Sequence, residues 1–134
     1  MRLLLPLLLL GLSGCTVVDA YLMAKFDTNE YQLVNQIKSV AEANIRNCGD
    51  REKMNTVANY LFIKGTEFKN YTVHIPHNEK ASLLSLEIYK EIDGLNARYS
   101  NLDKKVSETY CKTKLSTIEQ SAETIQEVIG DKPR

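Results

Sequence analysis

Tryptophan is missing from the chain, and the seven Tyr and three Phe are spread along it. That scatter gives no stacking platform for nucleic-acid bases. Charge of one sign is missing too: 17 basic side chains face 17 acidic ones. Nucleic acid needs a clustered basic surface, so no nucleic-acid partner is expected. There is no Gly-rich phosphate loop, no His-Glu-x-x-His and no Gly-x-Ser-x-Gly. Phosphate cradling, zinc-helix hydrolysis and a nucleophile elbow therefore lack their sequence support. A non-enzymatic protein without a cofactor is expected. Internal repeats and low-complexity segments are absent as well. What remains is 134 residues with 43% hydrophobic and 25% charged content, the balance and length of one folded domain.

The N-terminus is the most informative stretch. Met1-Arg2 precedes an almost unbroken apolar run from Leu3 to Leu12, interrupted by Pro6, and then Ser13-Gly14-Cys15. A basic residue, a short apolar core and small residues before a cleavage point form the tripartite secretory signal. The run is too short to span a bilayer, which takes about 20 apolar residues. If residues 1–14 are removed, Arg2 leaves with them and 16 basic side chains face 17 acidic ones.

Leu12-Ser13-Gly14-Cys15 resembles the lipobox of bacterial lipoproteins. The resemblance covers the leader and the cysteine only. It implies cleavage before Cys15, a diacylglycerol on the Cys15 thiol and acylation of the new amino group. Two or more acyl chains make a stable anchor where one is marginal. Thr16 stands where an Asp in enterobacterial lipoproteins resembles an inner-membrane retention mark. The expected address is the outer membrane facing the periplasm in a Gram-negative host, and otherwise the outer face of the cytoplasmic membrane.

Beyond a lead-in over residues 15–27, the apolar periodicity predicts helices. Leu33, Val34, Ile37, Val40, Ala41 and Ile45 follow the rhythm of one buried face over about Asn29–Asn47. Asp27, three residues before Glu30, predicts a capping box. Gly49 falls where a helix end favours a residue tolerant of positive φ. Asp50 caps a second helix over about Arg51–Asn70, with Met54, Val57, Ala58, Leu61, Phe62 and Phe68 on one face. Gly65 shares that face, where it permits a close neighbour. Tyr71 to His77 reads as an extended loop, because β-branched residues alternate there and Pro76 excludes a continuous helix. From Asn78 a heptad seam runs through Ile88, Ile92, Leu95, Tyr99, Leu102 and Val106. After a stutter at Tyr110 it resumes at Leu115, Ile118, Ala122, Ile125 and Ile129. The seam stays in phase past Gly94 and Asn96, which predicts one long helix with room for a bend. The expected fold is all-α, a three-helix bundle over residues 28–130 with helices of roughly 20, 20 and 50 residues. Residues 131–134 are read as a tail.

Cys48 and Cys111 remain after Cys15, and an even pair in an exported chain points to a disulfide. An antiparallel course brings Cys111 back near the first turn, where Cys48 lies. A Cys-x-x-Cys redox pair is absent. His74 and His77 flank Ile75-Pro76 and are weak metal candidates. A closed site takes about four ligands, and Glu79 is the one obvious third. They are read as solvated. The seam of the last helix outruns the shorter helices, so Tyr110, Leu115, Ile118 and Ile125 are the candidate partner-binding residues. The expected function is that of a lipid-anchored envelope protein, a structural or interaction module binding another envelope protein. Phages and conjugative elements encode such exclusion and accessory factors. The alternative is a small-ligand or metal carrier.

Overall fold

A computed structural model describes residues 22–134. Four helices are present among them: α1 (Thr28–Asn44), α2 (Arg51–Val73), α3 (Glu79–Ser100) and α4 (Glu108–Gly130), with a short 3₁₀ turn at Ile45–Asn47 after α1. No strand occurs among the described residues. The expected all-α bundle is present, as is its Cys48–Cys111 disulfide. Three of the helix starts follow from local chemistry. Asp27 Oδ1 accepts from Glu30 N–H at 2.9 Å, Asp50 Oδ1 from Lys53 N–H at 3.0 Å, and Ser107 Oγ from Tyr110 N–H at 3.1 Å. Each bond satisfies a donor that the helix itself leaves open.

Each helix packs on its two neighbours around the bundle, α1 on α2 and α4, and α3 on α2 and α4. The course is up-down-up-down. One end, here called proximal, gathers the lead-in to α1, the α2–α3 turn and the C-terminus. The distal end gathers the α1–α2 turn and the α3–α4 loop. Between them, the inward stripes of all four helices make one core, in which Ile37, Leu61, Phe68, Ile92, Leu95, Leu115, Ile118 and Ile125 are fully buried. Gly65 is where α2 and α3 come closest: a Cβ there would lie 2.9 Å from Ile92 Cδ1.

The single long C-terminal helix is corrected to two. The chain leaves the helix at Asn101, which takes an extended conformation, and re-enters at Ser107. Leu102, a seam residue by spacing, is 86% exposed. A continuous helix would carry the apolar stripe of its second half past the ends of α1 and α2. Folding back buries Leu115, Ile118, Ile125 and Ile129, at about 1.5–3 kcal/mol each. That outweighs the few helical hydrogen bonds surrendered at the break. Two of the freed carbonyls, Asn101 O and Lys104 O, accept from Arg51.

Two smaller expectations also change. The stretch read as extended from Tyr71 continues α2 through Val73, because Thr72 is buried on the α2 stripe and the Tyr71 hydroxyl is held by Asp27. Tertiary contacts override β propensity here. The left-handed residue is His77, at φ 59°, and Gly49 is not in that region. No described helix is long and apolar enough to cross a membrane.

Candidate functional site

At the proximal end the core stripe of each helix runs into a polar residue. Glu30 continues the Leu33–Val34–Ile37 stripe of α1, Thr72 ends that of α2, Asn78 begins that of α3, and Lys132 follows Ile129 beyond α4. All four side chains are buried. Lys132 Nζ donates to Glu30 Oε2 at 2.5 Å. Asn78 Nδ2 donates to Glu30 Oε1 at 2.7 Å and to Thr72 O at 3.2 Å. Both carboxylate oxygens of Glu30 are thus engaged by elements far apart in sequence. Asn78 caps α3 by backbone position only, because its side chain is used across the bundle. Glu30 serves the same network and leaves the expected capping box with its Asp27 half.

The lead-in is tied into this network by its backbone. Ala24 N–H donates to His77 O at 3.0 Å and Phe26 N–H to Pro133 O at 2.9 Å. The Arg134 guanidinium lies 4.8 Å from the Phe26 ring centroid. Tyr71 Oη donates to the Asp27 carboxylate, 3.0 Å from Oδ2, which fixes α2 against the start of α1. The residues read as a tail are therefore a working part of the bundle.

The distal end is held differently. Cys48 and Cys111 are 4% and 0% exposed, with Cα atoms 5.6 Å apart. The bond joins the α1–α2 turn to the first turn of α4. Beside it, Arg51 Nη1 donates to Lys104 O at 2.7 Å and Nη2 to Asn101 O at 2.9 Å. Tyr99 is buried in the same region. Burial pushes its phenol above the usual tyrosine range, and the positive charge of Arg51 opposes that shift.

Of the residues singled out in the sequence, Cys15 lies outside the described residues. Leu115, Ile118 and Ile125 are core residues at 0–1% exposure, covered by the neighbouring helices. They have no apolar surface left for a partner, which corrects the partner-binding expectation. Tyr110 is half-buried, with the Arg98 guanidinium 4.4 Å from its ring centroid. His74 and His77 are exposed. His74 Nδ1 donates to Asn70 O at 2.6 Å, within its own helix end. No group of three or more His, Cys, Asp or Glu side chains among the described residues is placed to hold a metal.

An open groove of about 790 Å³ runs beside His74, lined by Asp27, Glu67, Asn70, Tyr71, His74, Ile75 and Pro76. Ligand sites bury most of their ligand and add a few convergent polar groups. Here Asp27 and Tyr71 are turned on each other, so the groove offers a broad surface with its central polar groups already satisfied. Glu30, Asn78 and Lys132 at the proximal end and Arg51 at the distal end spend their polar atoms in holding elements together, while the buried Thr72 Oγ1 and Tyr99 Oη have no hydrogen-bond partner. The chain matches no known family, no curated protein and no solved structure.

Proposed function

We propose that this protein is a lipid-anchored protein of the bacterial envelope, held by acyl chains on Cys15, that acts as an interaction or structural module. The lipobox at Leu12–Cys15 carries the anchoring half of this reading. The disulfide supports it, because such bonds persist in the oxidising compartments outside the cytoplasm. The interaction half is supported by the use of the polar side chains, which join helices rather than assemble a reaction centre. The partner is another envelope protein. With the α4 stripe buried, contact falls to outward residues such as Tyr60 and Ile63 on α2, which are 41% and 54% exposed.

Anchoring is tested by Cys15→Ala in the full chain. The variant loses palmitate labelling and no longer pellets with membranes; continued membrane association would refute the anchor. The interaction is tested by photocrosslinking from position 63 in intact cells. One recurrent crosslinked envelope protein supports the reading. Absence of any such product from exposed positions across α2 and α3 would overturn it.

A further inference from the structure

The exposed apolar side chains of the bundle are unevenly placed. Eight large ones are exposed among the described residues, and four of them gather at the proximal end: Leu22 (49%), Met23 (48%), Val73 (58%) and Leu83 (66%). Val73 is the last residue of α2. Leu83 lies four residues into α3, about 6 Å along its axis at 1.5 Å per residue. Met23 shares a small cleft with Glu79 and Lys80 at the start of α3. The distal end exposes Leu102 alone. Four exposed apolar side chains at one pole of a small domain, against one at the other, mark a surface that something else covers.

We infer that this apolar rim docks on the lipid surface that carries the anchor, so that the bundle stands on its proximal end with the disulfide pointing away. The inference rests on the lipid-anchor reading above. Leu22 follows Cys15 by seven positions. Chain geometry therefore keeps their Cα atoms within about 25 Å of each other, however that stretch is arranged. An acylated Cys15 keeps the proximal end within that distance of the bilayer. The rim is also fixed in shape. The backbone N–H groups of Ala24 and Phe26 are bonded to the α2–α3 turn and to the C-terminal residues, so the lead-in cannot swing its apolar residues inward.

Electrostatics neither drive nor oppose the contact. Lys25, Lys80 and Arg134 are exposed at this end, and so are Glu79 and Asp131. Glu127, one turn before Asp131, is exposed as well, which balances the three cations with three carboxylates; Glu30 is engaged by Lys132 and Asp27 by Tyr71. Docking is accordingly apolar in origin and insensitive to salt.

The absence of tryptophan supplies the probe. Leu83→Trp and Leu102→Trp each place one indole on an exposed site, at opposite ends of the bundle. The full acylated chain is reconstituted into vesicles of phosphatidylethanolamine and phosphatidylglycerol, a fraction of whose acyl chains are brominated. Expected is a blue-shifted Leu83→Trp emission quenched several-fold more than that of Leu102→Trp, unchanged by added salt. Vesicles that float with bound protein but quench neither indole would refute the docking and leave the anchor standing. Failure to float at all would refute the anchor and the docking with it. Leu83→Trp emission that responds to protein concentration in detergent, without quenching by brominated lipid, would mean that a second copy covers the rim and would overturn the lipid assignment.

Discussion

The two ends of the bundle close the same four helices by opposite means. At the distal end the junction is covalent: Cys48–Cys111 joins the α1–α2 turn to α4, and Arg51 ties the α3–α4 loop to the start of α2. At the proximal end no covalent bond is available. Glu30, Asn78 and Lys132 join three elements through a buried carboxylate, with the lead-in to α1 and the C-terminal residues drawn into the arrangement. A disulfide acts mainly on the unfolded chain and tolerates changes around it. A buried ion pair acts only when every member is present, because a charge left alone in the core is costly. The distal end should therefore be sensitive to redox chemistry, and the proximal end to any single substitution among its members.

The largest effect is expected from opening the staple. The loop it closes spans a sequence separation of 63. In the chain-entropy model a loop of that size stabilises by roughly 4 kcal/mol. Reductant should lower the melting temperature of the soluble domain by about 10–15 °C without abolishing its helical spectrum. Two free thiols at Cys48 and Cys111 in protein isolated without reductant would refute the bond. Equal melting with and without reductant, in protein shown to hold the bond, would contradict its stabilising role.

Next comes the proximal network. Lys132→Ala strands the Glu30 carboxylate in the core and is expected to cost about 3 kcal/mol, toward the low end for a broken buried pair because the tail can fray and admit water. Glu30→Met with Lys132→Met removes both charges and should recover most of that loss. Denaturant melts of the single and double variants measure the difference. A double variant no more stable than the single one would mean that the ion pair itself, rather than the stranded charge, carries the stability.

The distal closure and the proximal network were not equally legible in the sequence. Cys48 and Cys111 could be paired from an antiparallel course and an even cysteine count. Asp27 and Asp50 announced two helix starts, and Gly65 announced a close approach. The break after Ser100 was hidden because the heptad seam stays in phase from Ile88 to Val106, and no Gly or Pro interrupts 101–107. The stutter and the cap at Ser107 were the available signals. The proximal network was hidden because Glu30 and Lys132 lie 102 residues apart and each resembles a solvated charge. Glu30 lies on the apolar stripe of α1 and Lys132 continues that of α4 just beyond its end, and those positions were the clue. A charge on a buried face has to find a partner.

A third variant tests the close packing of α2 on α3 between the two ends. Gly65→Ala adds a methyl 2.9 Å from Ile92 Cδ1, closer than real Cβ contacts come. Alanine favours a helix over glycine by about 1 kcal/mol, and overpacking costs about 1–3 kcal/mol. A net loss of about 1 kcal/mol in denaturant titration is expected. Adding Ile92→Val, which trims the opposing side chain, should recover part of that loss. A stabilising Gly65→Ala would show that Ile92 moves aside freely.

The smallest effect belongs to Arg51, and it separates the distal end's polar clamp from its covalent staple. Arg51→Gln removes two hydrogen bonds to the loop carbonyls, which lie near solvent and can exchange them for water. The expected cost is about 1 kcal/mol at neutral pH. Its diagnostic is Tyr99. Burial raises the Tyr99 pKa and Arg51 restrains the rise, so removing the guanidinium should raise it further. A tyrosine whose folded pKa exceeds its unfolded value stabilises the fold fully below the unfolded pKa. That contribution is lost as pH climbs from there through the folded value. The variant should therefore lose stability more steeply than the parent once pH passes about 10, the usual tyrosine pKa. Melting curves across the alkaline range, with tyrosinate absorbance followed alongside, provide the check. Parallel pH profiles for the two proteins would show that Arg51 holds the loop without acting on the buried phenol.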